Sequence, residues 1–317
     1  MLKPSELDRK ALRLQAARRA RDESERDFIA REIERRMAER LDLIRLAPDL
    51  IADIGCGRAA SVDLLAARYP EARYLGIDLA AATLRRAQAG RPAGSLLARA
   101  GRWLSRAGER VGGLRGGAPA PAPAAFIAAD THHLPLPGAS VDLIWSNLAW
   151  HGFEDPLAVV AEWYRVVRPD GLLMFSAFGV DSLRALLGPN AGIVTFPDMH
   201  DIGDALVNAG FAEPVMDAER ITLGYRRPED LLAELRAALG GNALAARRRG
   251  LVGRSRHADW LAALESRRGD DGLIAVEFEI IQGHAWCPPR KRLPDGLAPI
   301  TFLPRQRAAP LPAGDSR

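Results

Sequence analysis

Short apolar runs alternate with segments of helical apolar spacing over much of the chain. The runs predict strands and the other segments predict helices, because the two structures repeat apolar positions with different periods. The predicted strands are 50–55, 72–78, 124–130, 141–147 and 171–178. The predicted helices between them are 60–70, 80–90 and 156–168. This alternation indicates an α/β fold with a parallel, doubly wound sheet.

The C-terminal half continues with a different order of elements. Further helices are predicted at 182–187, 199–209 and 228–239, and Gly210 is a C-cap candidate for the second of them. Apolar residues alternate with smaller or charged ones in 273–281, and a strand is also predicted at 220–225. Such a pattern is typical of the antiparallel pair that completes a seven-stranded sheet.

The N-terminal segment has helical character almost throughout. Its apolar stripe consists of Ile29, Ile33, Met37, Leu41 and Ile44, and Ser24 is a candidate cap. Two interpretations remain open, a lid over a ligand pocket and a helix packed on the sheet. We therefore divide the chain into an N-terminal helical lid (1–47) and one α/β domain (48–317). Within this domain, 90–123 is interpreted as a flexible insertion, 179–218 as a helical insertion and 287–317 as an irregular tail.

A glycine-rich turn joins the first predicted strand to the first predicted helix. It reads Asp53-Ile54-Gly55-Cys56-Gly57-Arg58-Ala59, and the second strand ends at Asp78. Glycines allow a sharp turn and close approach of a ligand, and an acid at a strand end can accept ribose hydroxyls. A dinucleotide site would need a further glycine at position 60 and no acid at Asp53, which would repel a pyrophosphate. The pattern predicts a nucleoside site, and an ordinary strand-to-helix turn is the alternative.

Length and composition indicate the cellular compartment and the kinds of partner to expect. At 317 residues and 48% hydrophobic content, it can bury a large core. No apolar leader or run of roughly 20 apolar residues is present, so a cytoplasmic location without a membrane span is expected. Cys56 and Cys287 form no disulfide framework. Because 44 basic residues are nearly balanced by 40 acidic ones, nucleic acid is not an expected partner.

A metal site is not predicted either. The segment His257-Ala258-Asp259 formally matches part of a non-haem iron triad. It has helical character, however, and residues two apart on a helix point to different faces. His132 and His133 are interpreted as loop residues beside Asp130.

The glycine-rich turn resembles motif I of the class I S-adenosylmethionine (SAM) methyltransferases, usually D-x-G-x-G-x-G. Ala59 stands at the third glycine, and its methyl group should be tolerated if φ is negative there. The resemblance implies a Rossmann-like seven-stranded sheet and SAM as cofactor, with Asp130 beside the adenine amino group. The expected cofactor-binding residues are Asp53, Gly55, Cys56, Gly57, Asp78, Leu79, Asp130, Thr131, Ser146 and Asn147.

Further stretches are similar to one branch, the malonyl-[acyl-carrier protein] O-methyltransferases of biotin synthesis (BioC type). They are 27–32, 36–41, 145–151, 171–176, 198–204, 210–217, 221–223 and 283–286. Two departures are the absence of a tyrosine in 16–25 and Gly152 after His151. A mitochondrial complex I assembly factor, similar to an arginine hydroxylase, shares much of this architecture. That hydroxylase or assembly factor and a non-catalytic SAM-binding chaperone are the alternatives.

The resemblance implies O-methylation of the free carboxylate of malonyl-acyl-carrier protein. Since that carboxylate is already ionised near neutral pH, no strong general base is needed. His151 and His200 are the candidates to hold it, with a capping or packing role for each as the alternative. The long N-terminal helix and the 179–218 insertion are expected to build the acceptor pocket. The basic residues Arg247, Arg248, Arg249, Arg254 and Arg256 form either a docking surface for the carrier protein or a solvated loop.

Overall fold

The computed structural model describes residues 2, 4, 6–21, 27–89, 124–187, 196–247, 250 and 253–289. Seven strands form one sheet in the order β3-β2-β1-β4-β5-β7-β6. Their bounds are β1 Leu50–Ile54, β2 Arg73–Asp78, β3 Ala125–Ala128, β4 Val141–Ser146, β5 Val167–Phe178, β6 Ala212–Tyr225 and β7 Ile274–Trp286. The α/β prediction with a seven-stranded Rossmann-like sheet is therefore confirmed.

Helices cover the sheet and follow the strands in the predicted alternation. In the described part of the chain they are α1 Arg9–Arg21, α2 Phe28–Arg40, α3 Ser61–Arg68, α4 Ala81–Gln88, α5 Pro156–Val166, α6 Arg184–Leu187, α7 Met199–Ala209, α8 Pro228–Leu239 and α9 Arg254–Glu265. Short 3₁₀ turns occupy Leu41–Leu43 and Trp150–Gly152. Gly210 ends α7 with φ of 109°, the left-handed conformation expected of a glycine C-cap.

The strand directions follow from the lengths of the connections. Strands β1 to β5 pair in parallel, because crossover connections of about a dozen or more residues join them. Helices α3, α4 and α5 lie on three of these connections, whereas 129–140 joins β3 to β4 without a helix. Strand β7 runs antiparallel to both β5 and β6. All carboxyl ends of the parallel strands therefore lie along one edge of the sheet, where open α/β sheets bind their ligands.

Strand β6 is longer than the sequence predicts. It begins at Ala212 rather than Arg220, so 212–218 belongs to the sheet and not to a helical insertion. The pairing with β7 is irregular between Ala212 and Val215, where Pro214 has no N–H to donate. Proline and acidic residues are uncommon in strands, so Pro214, Glu213 and Asp217 prevent the sequence pattern from predicting a strand here. An edge strand nevertheless accommodates them.

The described part of the N-terminal segment contains the two helices α1 and α2, in agreement with its predicted helical character. The stripe predicted for α2 is buried as expected, with Ile29, Ile33 and Met37 at 1% exposure or less. Ser24, the predicted cap, lies outside the described residues, and Asp27 precedes the first turn of α2. The backbone N–H of Ile29 donates to Glu234 Oε1 at 3.1 Å, so α8 supplies an acceptor for the start of α2.

An aromatic cluster fixes the chain beyond the end of β4. Trp150 packs edge-on against Trp163 of α5 with ring centroids 5.6 Å apart, and lies 5.4 Å from the ring of Phe175 in β5. All three residues are at most 3% exposed. Large buried rings restrict the backbone that carries them, so the turn at Trp150–Gly152 is held firmly against the sheet.

Two predicted segments cannot be compared with the structure in full. The insertion at 90–123 and the tail from residue 290 onward lie outside the described residues. At the start of that tail, the Cys287 N–H donates to the Gly171 carbonyl at 2.9 Å, which extends the pairing of β7 with β5. None of the described helices has the length and apolar character needed to span a bilayer.

Candidate active site

A cavity of about 280 Å³ lies at the carboxyl ends of the parallel strands, between the sheet and helices α1 and α2. Nine of the ten predicted cofactor residues line it: Asp53, Gly55, Cys56, Gly57, Asp78, Leu79, Asp130, Thr131 and Asn147. The tenth, Ser146, is fully buried in β4, and its hydroxyl donates to the Ile54 carbonyl at 3.0 Å. Ser146 therefore supports the neighbouring strand β1 rather than the cavity wall.

The two glycines of the turn are suited to their positions for different physical reasons. Gly55 has φ of 76°, and a Cβ there would lie 2.6 Å from the Ala149 Cβ. Gly57 has φ of 51°, but a Cβ there would meet nothing within 4 Å. Gly55 thus allows close packing of two loops, whereas Gly57 leaves open space where a ligand can approach the backbone.

Ala59 does not meet the condition under which its methyl group should be tolerated. That condition is a negative φ, whereas φ is 55°, and the side chain is fully buried. The left-handed region costs an L-residue about 1–2 kcal/mol, which explains why a glycine is usual at this position of the motif. The chain carries this strain in the turn that forms the floor of the cavity.

A larger side chain at Ala59 should destabilise the protein. We expect Ala59→Val to lower the free energy of unfolding by about 2 kcal/mol, because a branched residue is strained at positive φ and no space is available. Urea denaturation followed by circular dichroism measures the change. The matched variant Ala59→Gly should stay within about 1 kcal/mol of the parent, since relief of strain offsets the lost methyl contacts. Equal urea midpoints for the valine variant and the parent would contradict the assigned backbone conformation.

Asp53 lies at the end of β1 in a buried hydrogen-bond network. It is 2% exposed and accepts hydrogen bonds from the Ser61 hydroxyl and the Tyr74 phenol. Burial raises the pKa of Asp53 to about 6, although these two hydrogen bonds act in the opposite direction. The carboxyl group remains able to attract a cation at the cavity wall.

Asp78, at the end of β2, organises the backbone around the turn. Its Oδ2 accepts from the Gly57 N–H at 3.1 Å and its Oδ1 from the Ala80 N–H at 2.8 Å. Each carboxylate oxygen has a second lone pair available for another donor. Asp78 is therefore placed both to hold the turn and to accept the two hydroxyls of a ribose.

Asp130 follows β3 and is held by two side chains. Its Oδ1 accepts from the N–H and Nδ1 of His132, at 3.0 and 2.7 Å, and Oδ2 accepts from Arg9 Nη1 at 2.8 Å. The Asp155 N–H donates to His132 Nε2, so the proton of the neutral ring is on Nδ1. Burial raises the pKa of Asp130, but the hydrogen bonds from His132 and the charge of Arg9 outweigh it and leave the pKa below its ordinary value.

Helices α1 and α2 supply cavity residues that the sequence analysis missed. Arg9, Leu12 and Ala16 come from α1, and Ala30, Arg31 and Glu34 come from α2. Glu34 is 7% exposed, and burial, followed by the charge of Asp53, raises its pKa to about 8. Glu34 lies three residues before Met37 of the apolar stripe, and this helical spacing was the available signal that it faces inward.

Asn147 connects α2 to the sheet at the cavity wall. Its Nδ2 donates to the Ala30 carbonyl at 2.8 Å, and its Oδ1 accepts from the Ser176 hydroxyl at 2.7 Å. The side-chain amide thus bridges α2 and β5 beside the cavity. Any contact of Asn147 with a bound ligand remains a prediction.

The two predicted acceptor histidines lie in different places. His151 lines the cavity, with its ring centroid 6.0 Å from that of Phe178. His200 is in the first turn of α7, where its side chain is 85% exposed and its Nδ1 lies 2.9 Å from Asp198 Oδ1. His200 is not among the residues that line the cavity, because the α7 N-terminus faces solvent. An acceptor role for His200 stays a prediction that this cavity does not support.

The structure describes parts of the predicted acceptor insertion and of the predicted basic cluster. Of the described residues in 179–187 and 196–218, none lines the cavity, whereas Ala237 and Ala238 of α8 do. Arg247 Nη2 lies 2.8 Å from Asp8 Oδ2 and ties the start of α1 to the chain after α8. Arg248 and Arg249 lie outside the described residues.

The residues present fit SAM. Six carboxyl groups line the cavity against three guanidinium groups, so it favours a ligand that carries positive charge. The acids stand at the ends of three neighbouring strands, where they match a methionine ammonium and sulfonium, a ribose diol and an adenine amino group in turn. The open space at Gly57 leaves room for the ligand between them.

The described residues offer no comparable metal site. Among them, no group of three or more His, Cys, Asp or Glu side chains is placed to hold a metal ion. His257 and Asp259 lie on α9, where a spacing of two places them on different faces of the helix.

Comparison with known proteins defines the class. A family described as a methyltransferase domain matches residues 52–175. A putative methyltransferase from Bacillus halodurans superposes with a TM-score of 0.53 at 15% identity, covering 80% of this chain and 99% of the other. The YcgJ protein of Bacillus subtilis gives a TM-score of 0.52 at 14% identity, covering 80% and 98% of the two chains. Fold, cavity and domain match together define a class I SAM-dependent methyltransferase.

More similar sequences define the branch. A malonyl-[acyl-carrier protein] O-methyltransferase from Laribacter hongkongensis is 42% identical over 88% of this chain and 91% of its own length. The protein of the same name from Methylovorus is 39% identical over 88% and 89% of the two chains. The chain belongs to the malonyl-[acyl-carrier protein] O-methyltransferase family.

Proposed function

We propose that the protein transfers a methyl group from SAM to the free carboxylate of a malonyl thioester on acyl-carrier protein, in the cytoplasm, during synthesis of a biotin precursor. The observation that carries this proposal is the extent of the similarity to proteins of that name. At 42% identity over 88% of the chain, it reaches well beyond the methyltransferase domain at 52–175. Those relatives therefore share parts of the chain that a cofactor site alone would not constrain.

The acids at the strand ends would hold the cofactor. Asp53 would face the methionine end, Asp78 the ribose hydroxyls and Asp130 the adenine amino group. The cofactor supplies an electrophilic methyl group on a positively charged sulfur, which leaves as a neutral thioether. Helices α1 and α2 cover this cavity, and we propose that they act as the lid that excludes water.

The acceptor carboxylate needs orientation rather than activation. A malonyl carboxylate is ionised near neutral pH, so one of its oxygen lone pairs can form the new bond without prior loss of a proton. Orientation of two reactants in a dry pocket can supply effective molarities on the order of 10⁵–10⁸ M. We assign His151, which lines the cavity, to hold this carboxylate by hydrogen bonding.

A transfer assay tests the proposal directly. Purified protein is incubated with methyl-labelled SAM and malonyl-acyl-carrier protein, and the mass of the carrier is measured. We expect a gain of one methyl group on the malonyl unit. Acetyl-acyl-carrier protein, which has no free carboxylate, and the Asp78→Ala variant are the controls, and neither should yield labelled carrier. Binding of SAM without transfer to the malonyl carrier would overturn the proposed acceptor while leaving the fold unaffected.

A further inference from the structure

The lid helix α2 contributes a carboxyl group to the cavity that the functions assigned so far do not use. Glu34 lies one residue after the buried Ile33, and its side chain lines the cavity at 7% exposure. A carboxyl group is rarely buried to this degree without a partner that satisfies it. The surroundings of Glu34 therefore indicate what it binds.

The hydroxyl donor beside Glu34 is taken up by Asp53. The Ser61 hydroxyl has a single proton to donate, and it donates that proton to the Asp53 carboxyl group. The Tyr74 phenol adds a second donor on the Asp53 side. Burial, followed by the negative charge of Asp53, raises the pKa of Glu34 and so favours its neutral form in the free protein.

The charged groups around Glu34 carry more negative than positive charge. Asp53 faces it from β1, and Asp27 adds further negative charge at the start of α2. Arg31 adds positive charge, and it is paired with Asp27, with Arg31 Nε 2.7 Å from Asp27 Oδ1. Glu34 and Asp53 are two buried carboxyl groups that line the same cavity, so together they attract a ligand that carries positive charge.

We propose that Glu34 determines specificity for the charged methyl donor, because its carboxylate forms beside the positive sulfur of SAM and has no such partner once the neutral product S-adenosylhomocysteine is bound. This inference rests on the proposed function, since it places the methionine end of the cofactor at Asp53. The inference has two consequences. The protein should prefer SAM over S-adenosylhomocysteine because of Glu34, and binding of SAM should release a proton from Glu34.

Calorimetry of SAM and S-adenosylhomocysteine binding tests both consequences. In Glu34→Gln, we expect the affinity for SAM to fall about tenfold and the affinity for S-adenosylhomocysteine to change less than about threefold. With a pKa of about 8, Glu34 is roughly nine-tenths protonated at pH 7 before SAM binds. Titrations at pH 7 in buffers of different ionisation enthalpy should show release of close to one proton by the parent and much less by the variant.

The matched control lies on the same helix. Glu39 is exposed and paired with Arg35, so Glu39→Gln should bind both ligands like the parent and release the same number of protons. Equal weakening of both ligands by Glu34→Gln, or no weakening of either, would overturn the inference. Failure of the parent to bind SAM at all would instead overturn the proposed cofactor site, so the two failures are distinguishable.

Discussion

The Asp78→Ala variant is expected to bind SAM at least about 100-fold more weakly than the parent. The carboxylate would accept the ribose hydroxyls, and it already holds the N–H groups of Gly57 and Ala80 in the free protein. Its removal therefore takes away charge-assisted hydrogen bonds to the ligand and loosens the turn that approaches it. Isothermal titration calorimetry with SAM measures the loss.

Two further variants separate ligand contact from loss of fold. Asp78→Asn keeps one acceptor oxygen but turns an NH₂ group toward a backbone donor, so an intermediate loss is expected. Asp259→Ala, on the exposed face of α9, should bind SAM like the parent. If Asp78→Ala binds within threefold of the parent while its thermal unfolding is unchanged, Asp78 does not contact the ribose.

The sheet could be predicted because its signals are local. The central parallel strands are short runs buried on both faces, such as Val141–Ser146, where all six residues are buried. Strand β6 was predicted too short because it is an edge strand with one exposed face, and its N-terminal half carries Pro214 and two acids. The register irregularity that accommodates this proline depends on the partner strand β7, which follows much later in the chain.

The cofactor side of the cavity was predictable for a similar reason. Asp53, Asp78 and Asp130 each follow an apolar run, and parallel strands bring their carboxyl ends to the same edge. The contributions of α1 and α2 were not predictable residue by residue, because periodicity defines which face of a helix is apolar but not what that face meets. Glu34 borders the apolar stripe, and only the position of Asp53 across the cavity gives it a possible role.

Two single positions show what a sequence pattern leaves open. The sign of φ at Ala59 depends on how the turn packs, so the sequence alone does not determine it. His200 was selected with His151 for its side-chain chemistry, and the structure places it at the start of α7, exposed to solvent beside Asp198. In both cases, the residue type indicates the chemistry, whereas packing with distant parts of the chain sets the position and direction of the side chain.

The His151→Ala variant is expected to lower kcat/KM for malonyl-acyl-carrier protein by about 10–100-fold, with the affinity for SAM changed less than about threefold. His151 lies beyond β4, packed beside Phe178 on the cavity wall, whereas the cofactor acids lie at β1, β2 and β3. Loss of its ring would free the acceptor carboxylate to adopt unproductive orientations, and orientation supplies most of the rate in this reaction. Steady-state transfer assays with varied carrier concentration, together with SAM titrations, measure the two effects.

Three substitutions make this test specific to the position. His151→Gln keeps a hydrogen-bond donor of similar reach, so it should retain more activity than the alanine variant. His200→Ala removes an imidazole that is exposed on α7, and His133→Ala removes one from an exposed loop position, so both should match the parent. A loss of turnover in His200→Ala with full activity in His151→Ala would place the acceptor near α7. That result would mean that the chain outside the described cavity, and not the turn after β4, orients the carboxylate.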